Sequence, residues 1–129
     1  MLELTVFLCG ALVMVLEMVG GRVLAPHVGT SVVVWTSLIG VVLACLALGA
    51  WAGGRYADRS LSRNGLGKIL FAAGLGCALT ACFHGMAGSI TGAIGNLYVA
   101  AVASALVIFS LPAFFCGMVS PYVIRLRIA

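Results

Sequence analysis

Four apolar runs, each long enough to cross a membrane, constrain this sequence more than any other feature. A spanning helix needs about 20 mostly apolar residues, and here each run is bounded by charge, Gly or Pro. Hydrophobic residues make up 64% of the chain and charged residues only 8%, against about 25% charged in a soluble domain. These values exclude a soluble globular fold. The sequence predicts a single all-α membrane domain with spanning helices at about 4–21, 32–52, 69–86 and 97–119.

The positions of the basic residues predict the orientation of the four helices. Six of the seven Lys and Arg residues lie between the second and third runs or after the fourth, and only Arg22 lies in the first connection. Basic residues concentrate on the cytoplasmic side of membrane proteins. We therefore expect an integral protein, N-in and C-in, of a bacterial inner membrane. The glycine-rich connection over 87–96 predicts a flexible outer loop, and the one over 22–31, broken by Pro26, is expected to pack at the outer interface.

Several function classes find no support in the residues. The basic side chains form no face with interleaved aromatics, so we expect no nucleic-acid partner. All five cysteines fall inside apolar runs, without a C-x-x-C pair or a His at zinc-ligand spacing, so we expect no metal. No nucleophile and base pair and no cofactor-binding glycine loop is visible. The chain is therefore predicted to be neither an enzyme nor a cofactor protein.

Glu17 is the most informative residue, because a carboxylate within a spanning helix is costly and normally faces a cavity or a partner. On its face of the helix lie Gly10, Gly20 and Gly21, which clear space around the carboxyl group. Such a carboxylate could bind a cation or a proton. It could instead pair with Arg22, or cap a neighbouring helix, and only fix the packing.

The depth of Glu17 predicts which side chains accompany it. At about 1.5 Å per residue, we expect two aromatic residues, Trp35 and Tyr98, and several hydroxyl groups at the same depth on the other helices. A carboxylate, an aromatic face and hydroxyls suit an organic cation, although the two aromatics also fit an interfacial belt. Proline within the last run should bend that helix and provide a hinge. The predicted site residues are Glu17, Trp35, Thr36, Thr80, Tyr98 and Ser104, and the predicted hinge is Pro112.

Small residues recur at a spacing of four within the apolar runs. Inside membranes, such pairs let helix backbones approach closely. The sequence therefore predicts tight helix packing at four places, which are Gly40 with Ala44, Gly49 with Gly53, Gly74 with Ala78, and Ala100 with Ser104.

Several short motifs together carry a resemblance to a known family. They are Glu17–Arg22 (EMVGGR), Leu24–Pro26, Gly29–Ser31, Trp35–Gly40 (WTSLIG), Gly53–Arg59 (GGRYADR) and, more weakly, Gly117–Tyr122 (GMVSPY). With these motifs the first 60 or so residues resemble the membrane domain of spermidine synthase-like fused proteins. In that family a transporter-like bundle, related to the major facilitators, precedes an aminopropyltransferase-like domain. The resemblance implies a transport-related membrane domain and associates it with polyamines.

The stretch over 54–59 also resembles the cytoplasmic loop motif between the second and third helices of major facilitators. In that superfamily the motif's Asp and Arg take part in gating contacts, so the resemblance implies a gating role for Asp58 and Arg59, and we place Arg22 with them as a structural or gating residue. A plain cytoplasmic anchor explains the same arginines. The chain departs from the family in having four helices rather than six and no soluble domain, so synthase activity is not carried over.

Four helices also resemble small multidrug resistance transporters, in architecture alone. One four-helix copy can hardly enclose a site with gates on both sides, because transporters build such sites between repeats. We therefore expect a homodimer or higher homo-oligomer, parallel because the charge bias favours one orientation. The leading hypothesis is a small transporter, or minimal transport domain, for an organic cation such as a polyamine or quaternary amine. The alternative is a non-transporting anchor or scaffold for a synthase-like enzyme.

Overall fold

The computed structural model describes residues 2–59, 62–83 and 85–128 of the chain. Within these ranges all regular structure is helical, and four of the helices are long and apolar enough to cross a membrane. The prediction of an all-helical chain with four helices long and apolar enough to span a membrane is thereby confirmed. The helices are α1 (Leu2–Val28), α2 (Val32–Arg59), α3 (Arg63–Phe83), α4 (Met86–Ala93) and α5 (Leu97–Ile128).

The helices extend beyond the predicted apolar runs at their charged ends. α2 continues seven residues past the predicted end, α3 begins six residues before the predicted start, and α5 continues to Ile128. Hydropathy marks the part of a helix that lipid surrounds, whereas the helix itself ends where its backbone hydrogen bonds end. The end of the bundle where α1 and α3 begin and α2 and α5 finish carries six of the seven basic residues. We call it the basic end.

Both connections at the opposite end are more helical than predicted. α1 runs through Pro26 to Val28, so the proline does not end this helix. The expected flexible loop over 87–96 is wrong for most of its length, because α4 occupies Met86–Ala93. α4 packs on α5 and α1, so tertiary contacts offset the low helix propensity of its glycines.

α5 is the central helix of the bundle. It contacts each of the other four helices, and half of its most apolar stretch is buried inside the chain, compared with 11% for α1. The main core cluster is built around Leu38 of α2 and Phe109 of α5, which are 0% and 2% exposed. α1 is therefore a peripheral helix, and most of its surface is left to lipid or to another chain.

α2 and α5 approach backbone to backbone through glycine. A Cβ atom on Gly49 would overlap the carbonyl oxygen of Phe114, and one on Gly53, a turn later, would lie 2.7 Å from Cα of Met118. The matching order of the two contacts means that the helices run in the same direction. The predicted packing role of Gly49 and Gly53 is thus seen in the structure. Gly40 and Gly74 have open space instead, so their predicted pairs do not pack within the chain.

Candidate functional site

Glu17 lies within α1, half-buried. Among the described residues, the ion pairs are Asp58 with Arg125 and Glu3 with Arg127. Arg22 is exposed and does not pair with Glu17, contrary to the structural alternative raised by the sequence. A carboxylate at this depth needs a cation, a proton or a polar partner. Glu17 is therefore the strongest candidate for a binding residue.

The two glycines that follow Glu17 bring aromatic rings close to its face of α1. A Cβ on Gly21 would lie 2.7 Å from Cζ2 of Trp35, and one on Gly20 would lie 2.9 Å from Cζ of Phe109. Because residues three and four apart share a helix face, both rings lie about one turn from Glu17. Trp35 is 40% exposed, so part of its indole remains accessible. The predicted carboxylate and aromatic ring are therefore neighbours about one turn apart along α1 and do not lie at the same level.

A cavity of about 330 Å³ begins one turn from Glu17, toward the basic end. Its volume falls in the range of about 300–1,000 Å³ that is usual for small-molecule sites. α1, α2 and α5 supply its walls, which are almost entirely apolar. The cavity could take the hydrocarbon part of an amine whose charged nitrogen lies at Glu17. The described lining is Val6, Cys9, Gly10, Val13, Leu46, Ala50, Cys116, Gly117, Val119 and Ser120.

Glu17 lies deeper in the bundle than the sequence estimate placed it. Gly20 lies opposite Phe109, and Val13 and Cys116 line the same cavity, so antiparallel counting places Glu17 level with Pro112. The sequence estimate had assigned Tyr98 to Ser104 to this level. It ended the first helix at residue 21, whereas α1 continues to Val28. The additional seven residues correspond to about 10 Å of helix.

Three other predicted site residues lie away from Glu17. Thr36 is exposed, and its hydroxyl donates to the Val32 carbonyl 2.7 Å away in its own helix. Tyr98 is 59% exposed near the start of α5. Ser104 is completely buried, and its hydroxyl has no hydrogen-bond partner among the described residues, but its position is about two turns from the level of Glu17. The structure does not gather these hydroxyls into one site.

The last predicted site residue, Thr80, has a backbone role at Pro112. Proline has no N–H group and therefore leaves the carbonyl oxygen four residues earlier without its helical partner. That oxygen belongs to Ile108, and the Thr80 hydroxyl lies 2.9 Å from it and 3.0 Å from the Gly76 carbonyl. Gly76 lets α3 approach, since a Cβ there would lie 3.1 Å from the Pro112 nitrogen. The Thr80 hydroxyl thus lies within hydrogen-bond distance of the carbonyl that Pro112 leaves without a helical partner, and it shares its one proton between that carbonyl and the Gly76 carbonyl.

Replacing Thr80 with valine should destabilise the protein by about 1 kcal/mol, because an interhelical hydrogen bond is lost without a change in shape. The cost should shrink in a Pro112→Ala background, where an alanine N–H can again serve the Ile108 carbonyl. Denaturation midpoints of the two single variants and the double variant measure this coupling. Equal costs of Thr80→Val in both backgrounds would show that the hydroxyl does not compensate for the proline.

The predicted gating residues differ in their surroundings at the basic end. Asp58 binds Arg125 of α5 at 3.0 Å, with both side chains more than half exposed, so this pair contributes little stability. Arg59 is exposed and lies outside the ion pairs of the described residues. A firmer connection is made by Tyr122, whose hydroxyl donates to the Ser62 carbonyl at 2.9 Å and accepts from the Ser62 N–H at 3.1 Å. This contact ties α5 to the start of α3.

Apart from Pro112, sequence reasoning missed the α5 residues that lie near Glu17 or at the basic end. Phe109 and Cys116 read as ordinary apolar positions, and only the register of α5 against α1 brings them toward Glu17. Tyr122 appeared only as part of the weak motif over 117–122. Arg125 appeared only as a topology signal, because a single sequence does not show that Asp58 pairs with it.

The chain was compared with protein families, curated proteins and solved structures. No protein-family model, curated protein or solved structure matches the chain. The resemblance to the membrane domain of spermidine synthase-like proteins therefore remains a prediction. The functional proposal depends on the geometry around Glu17.

Proposed function

We propose that this chain is a small membrane transporter, or a minimal transport domain, for an organic cation such as a polyamine or a quaternary amine. The single observation that carries the proposal is the half-buried carboxylate of Glu17, which lies within a spanning helix outside the ion pairs of the described residues. The neighbouring Trp35 ring and the apolar cavity support an amine with a hydrocarbon body. The polyamine class itself follows from the family resemblance.

Transport would exchange the cation for a proton at Glu17, because one carboxylate does not hold both. Alternating access then needs a helix that can bend or shift at this level, and Pro112 lies at the level of Glu17. The weakly packed α1 leaves its surface available to a second copy. We propose a parallel homodimer or higher homo-oligomer in a bacterial inner membrane. The charge bias supports cytoplasmic termini.

Replacing Glu17 with glutamine should weaken binding of spermidine or a quaternary amine at least about tenfold, because a charge-assisted contact contributes about 1.5–3 kcal/mol. Thermal shift in detergent measures this. Glu3→Gln is the matched control, because it removes the same charge outside the apolar core and should retain cation protection. Equal protection of wild type and Glu17→Gln would contradict the proposal.

A second variant tests the cavity separately from the charge. Gly10 lines the cavity, and a Cβ placed there meets nothing within 4 Å. Gly10→Leu should therefore narrow the cavity and exclude bulky amines. A stable Gly10→Leu protein with unchanged affinity would show that the ligand does not enter the cavity.

The alternative is a non-transporting anchor or scaffold associated with a synthase-like enzyme. The glycine-mediated contact of α2 with α5 favours it, because two helices held backbone to backbone resist rearrangement. In that case Glu17→Gln would change thermal stability alone, and no cation would protect either protein. Proteoliposomes loaded with labelled spermidine distinguish the two functions, since an anchor gives no flux above that of empty vesicles.

A further inference from the structure

A cavity of about 570 Å³ opens at the basic end of the bundle, away from the proposed cation site. It lies where α1 and α3 begin and α5 ends, and its described lining divides into two kinds of side chain. Three leucines contribute apolar surface, and three charged residues contribute the polar part. The lining residues are Leu2, Leu66, Leu126, Glu3, Arg63 and Arg127.

The charges around this cavity leave one arginine uncompensated. Glu3 pairs with Nη1 of Arg127, and the guanidinium of Arg127 keeps donors on its other nitrogens. The chain has only three acidic residues, and Asp58 pairs with Arg125. Arg63 lies outside the ion pairs of the described residues. Two arginines against one glutamate give the lining a net charge of +1, which favours an anion.

The combination of guanidinium groups with leucines fits one kind of anion. Guanidinium groups recognise phosphate oxygens through paired hydrogen bonds, whereas leucines favour the first carbons of an acyl chain. The cavity lies at the charged end of three helices that are long and apolar enough to span a membrane, and in a bilayer such ends are expected in the headgroup region. Basic pockets between spanning helices on the cytoplasmic side bind anionic headgroups.

We propose that this cavity binds the phosphodiester headgroup of an anionic phospholipid, with Arg63 as the main phosphate-binding residue. Arg127 contributes a second guanidinium, which Glu3 holds at the rim. The three leucines contact the upper acyl chain. This site is independent of Glu17, so it stands whether or not the chain transports a cation.

The test measures binding of phosphatidylglycerol, with phosphatidylcholine of the same acyl chains as the neutral comparison, by native mass spectrometry of the detergent-solubilised protein. The expected result is a preference for phosphatidylglycerol that Arg63→Gln reduces at least fivefold. Lys68→Gln is the matched control, because Lys68 is also exposed on the first turns of α3 but lies outside the described lining. It should retain the preference.

Three outcomes would overturn the proposal. Equal binding of the two lipids would show that the negative charge of the headgroup does not determine binding. If Arg63→Gln and Lys68→Gln reduced the preference for phosphatidylglycerol equally, the preference would come from the overall positive charge of the basic end and not from this cavity. Competition by glycerol 3-phosphate at the concentrations at which phosphatidylglycerol binds would identify a soluble phosphate compound as the ligand, because the acyl chain would then contribute nothing. Loss of cation binding at Glu17 would leave all of these measurements unchanged.

Discussion

Alanine in place of Gly49 should lower the stability of the fold by about 3 kcal/mol, at the upper end of the usual cost of overpacking. The added methyl group would overlap the carbonyl oxygen of Phe114 on α5 and lie 3.2 Å from Cα of Gly117. These atoms belong to the backbone of a central helix, so they cannot turn aside as a flexible side chain would. We expect α2 and α5 to separate along this contact, with loss of the main core. The midpoint of denaturation in mixed detergent measures the loss.

Gly40→Ala is the matched control for this prediction. Gly40 lies in the same helix, and a Cβ there meets nothing within 4 Å. Alanine is also the better helix former, so this variant should be as stable as the wild type or slightly more stable. If both variants lost stability equally, the cost would come from the helix backbone or from the lipid, and the close approach of α2 and α5 would not explain it.

Removing the hydroxyl of Tyr122 should cost about 1–3 kcal/mol, the second-largest effect on stability that the structure predicts. Tyr122 is completely buried, and its hydroxyl both donates to and accepts from the backbone of Ser62. Ser62 in turn accepts a hydrogen bond from the Gly65 N–H at 3.0 Å and so caps the start of α3. Tyr122→Phe should therefore loosen the first turn of α3, which faster hydrogen exchange of its amides would reveal.

Tyr56→Phe provides the comparison for the loss of a hydroxyl. The Tyr56 ring stacks on Tyr122 with centroids 5.8 Å apart, but Tyr56 is itself exposed. Phenylalanine preserves the stacking in both variants, so only the contacts of the hydroxyl differ. We expect a change within about 0.5 kcal/mol for Tyr56→Phe. A larger cost for Tyr56→Phe than for Tyr122→Phe would mean that the Ser62 contact does not hold the end of α3.

The four long helices could be predicted from the sequence alone because a lipid environment restricts the backbone to few structures. A run of about 20 apolar residues forms a helix whatever its neighbours are, since lipid offers no other partner for the backbone. The same rule does not apply outside the apolar layer. There the helix over Met86–Ala93 depends on packing against α5 and α1, which a single sequence does not display, and a glycine-rich stretch was consequently predicted as a loop.

The candidate site could be predicted only in part, because composition marks a residue but does not determine helix register. Glu17 was identified from its cost in lipid, and its neighbour Trp35 from helix depth. The hydroxyls of Thr36 and Tyr98 were expected beside them, but the rotation of α2 and the position of α5 place them elsewhere. Thr80 was expected to contact a ligand, but its hydroxyl lies within hydrogen-bond distance of the Ile108 carbonyl, which Pro112 leaves without a helical partner. Rotation and register follow from contacts between helices far apart in the chain.

The central position of α5 has a consequence for biosynthesis. Of the five helices, α5 leaves the ribosome last, yet α1, α2 and α3 all pack on it. Until it enters the bilayer, the glycine surface of α2 has no partner within the chain, so the earlier helices must wait in the membrane without their core. Insertion and tertiary assembly are therefore separated in time. A translation pause or a premature stop before residue 97 would leave helices without the partner on which their packing depends.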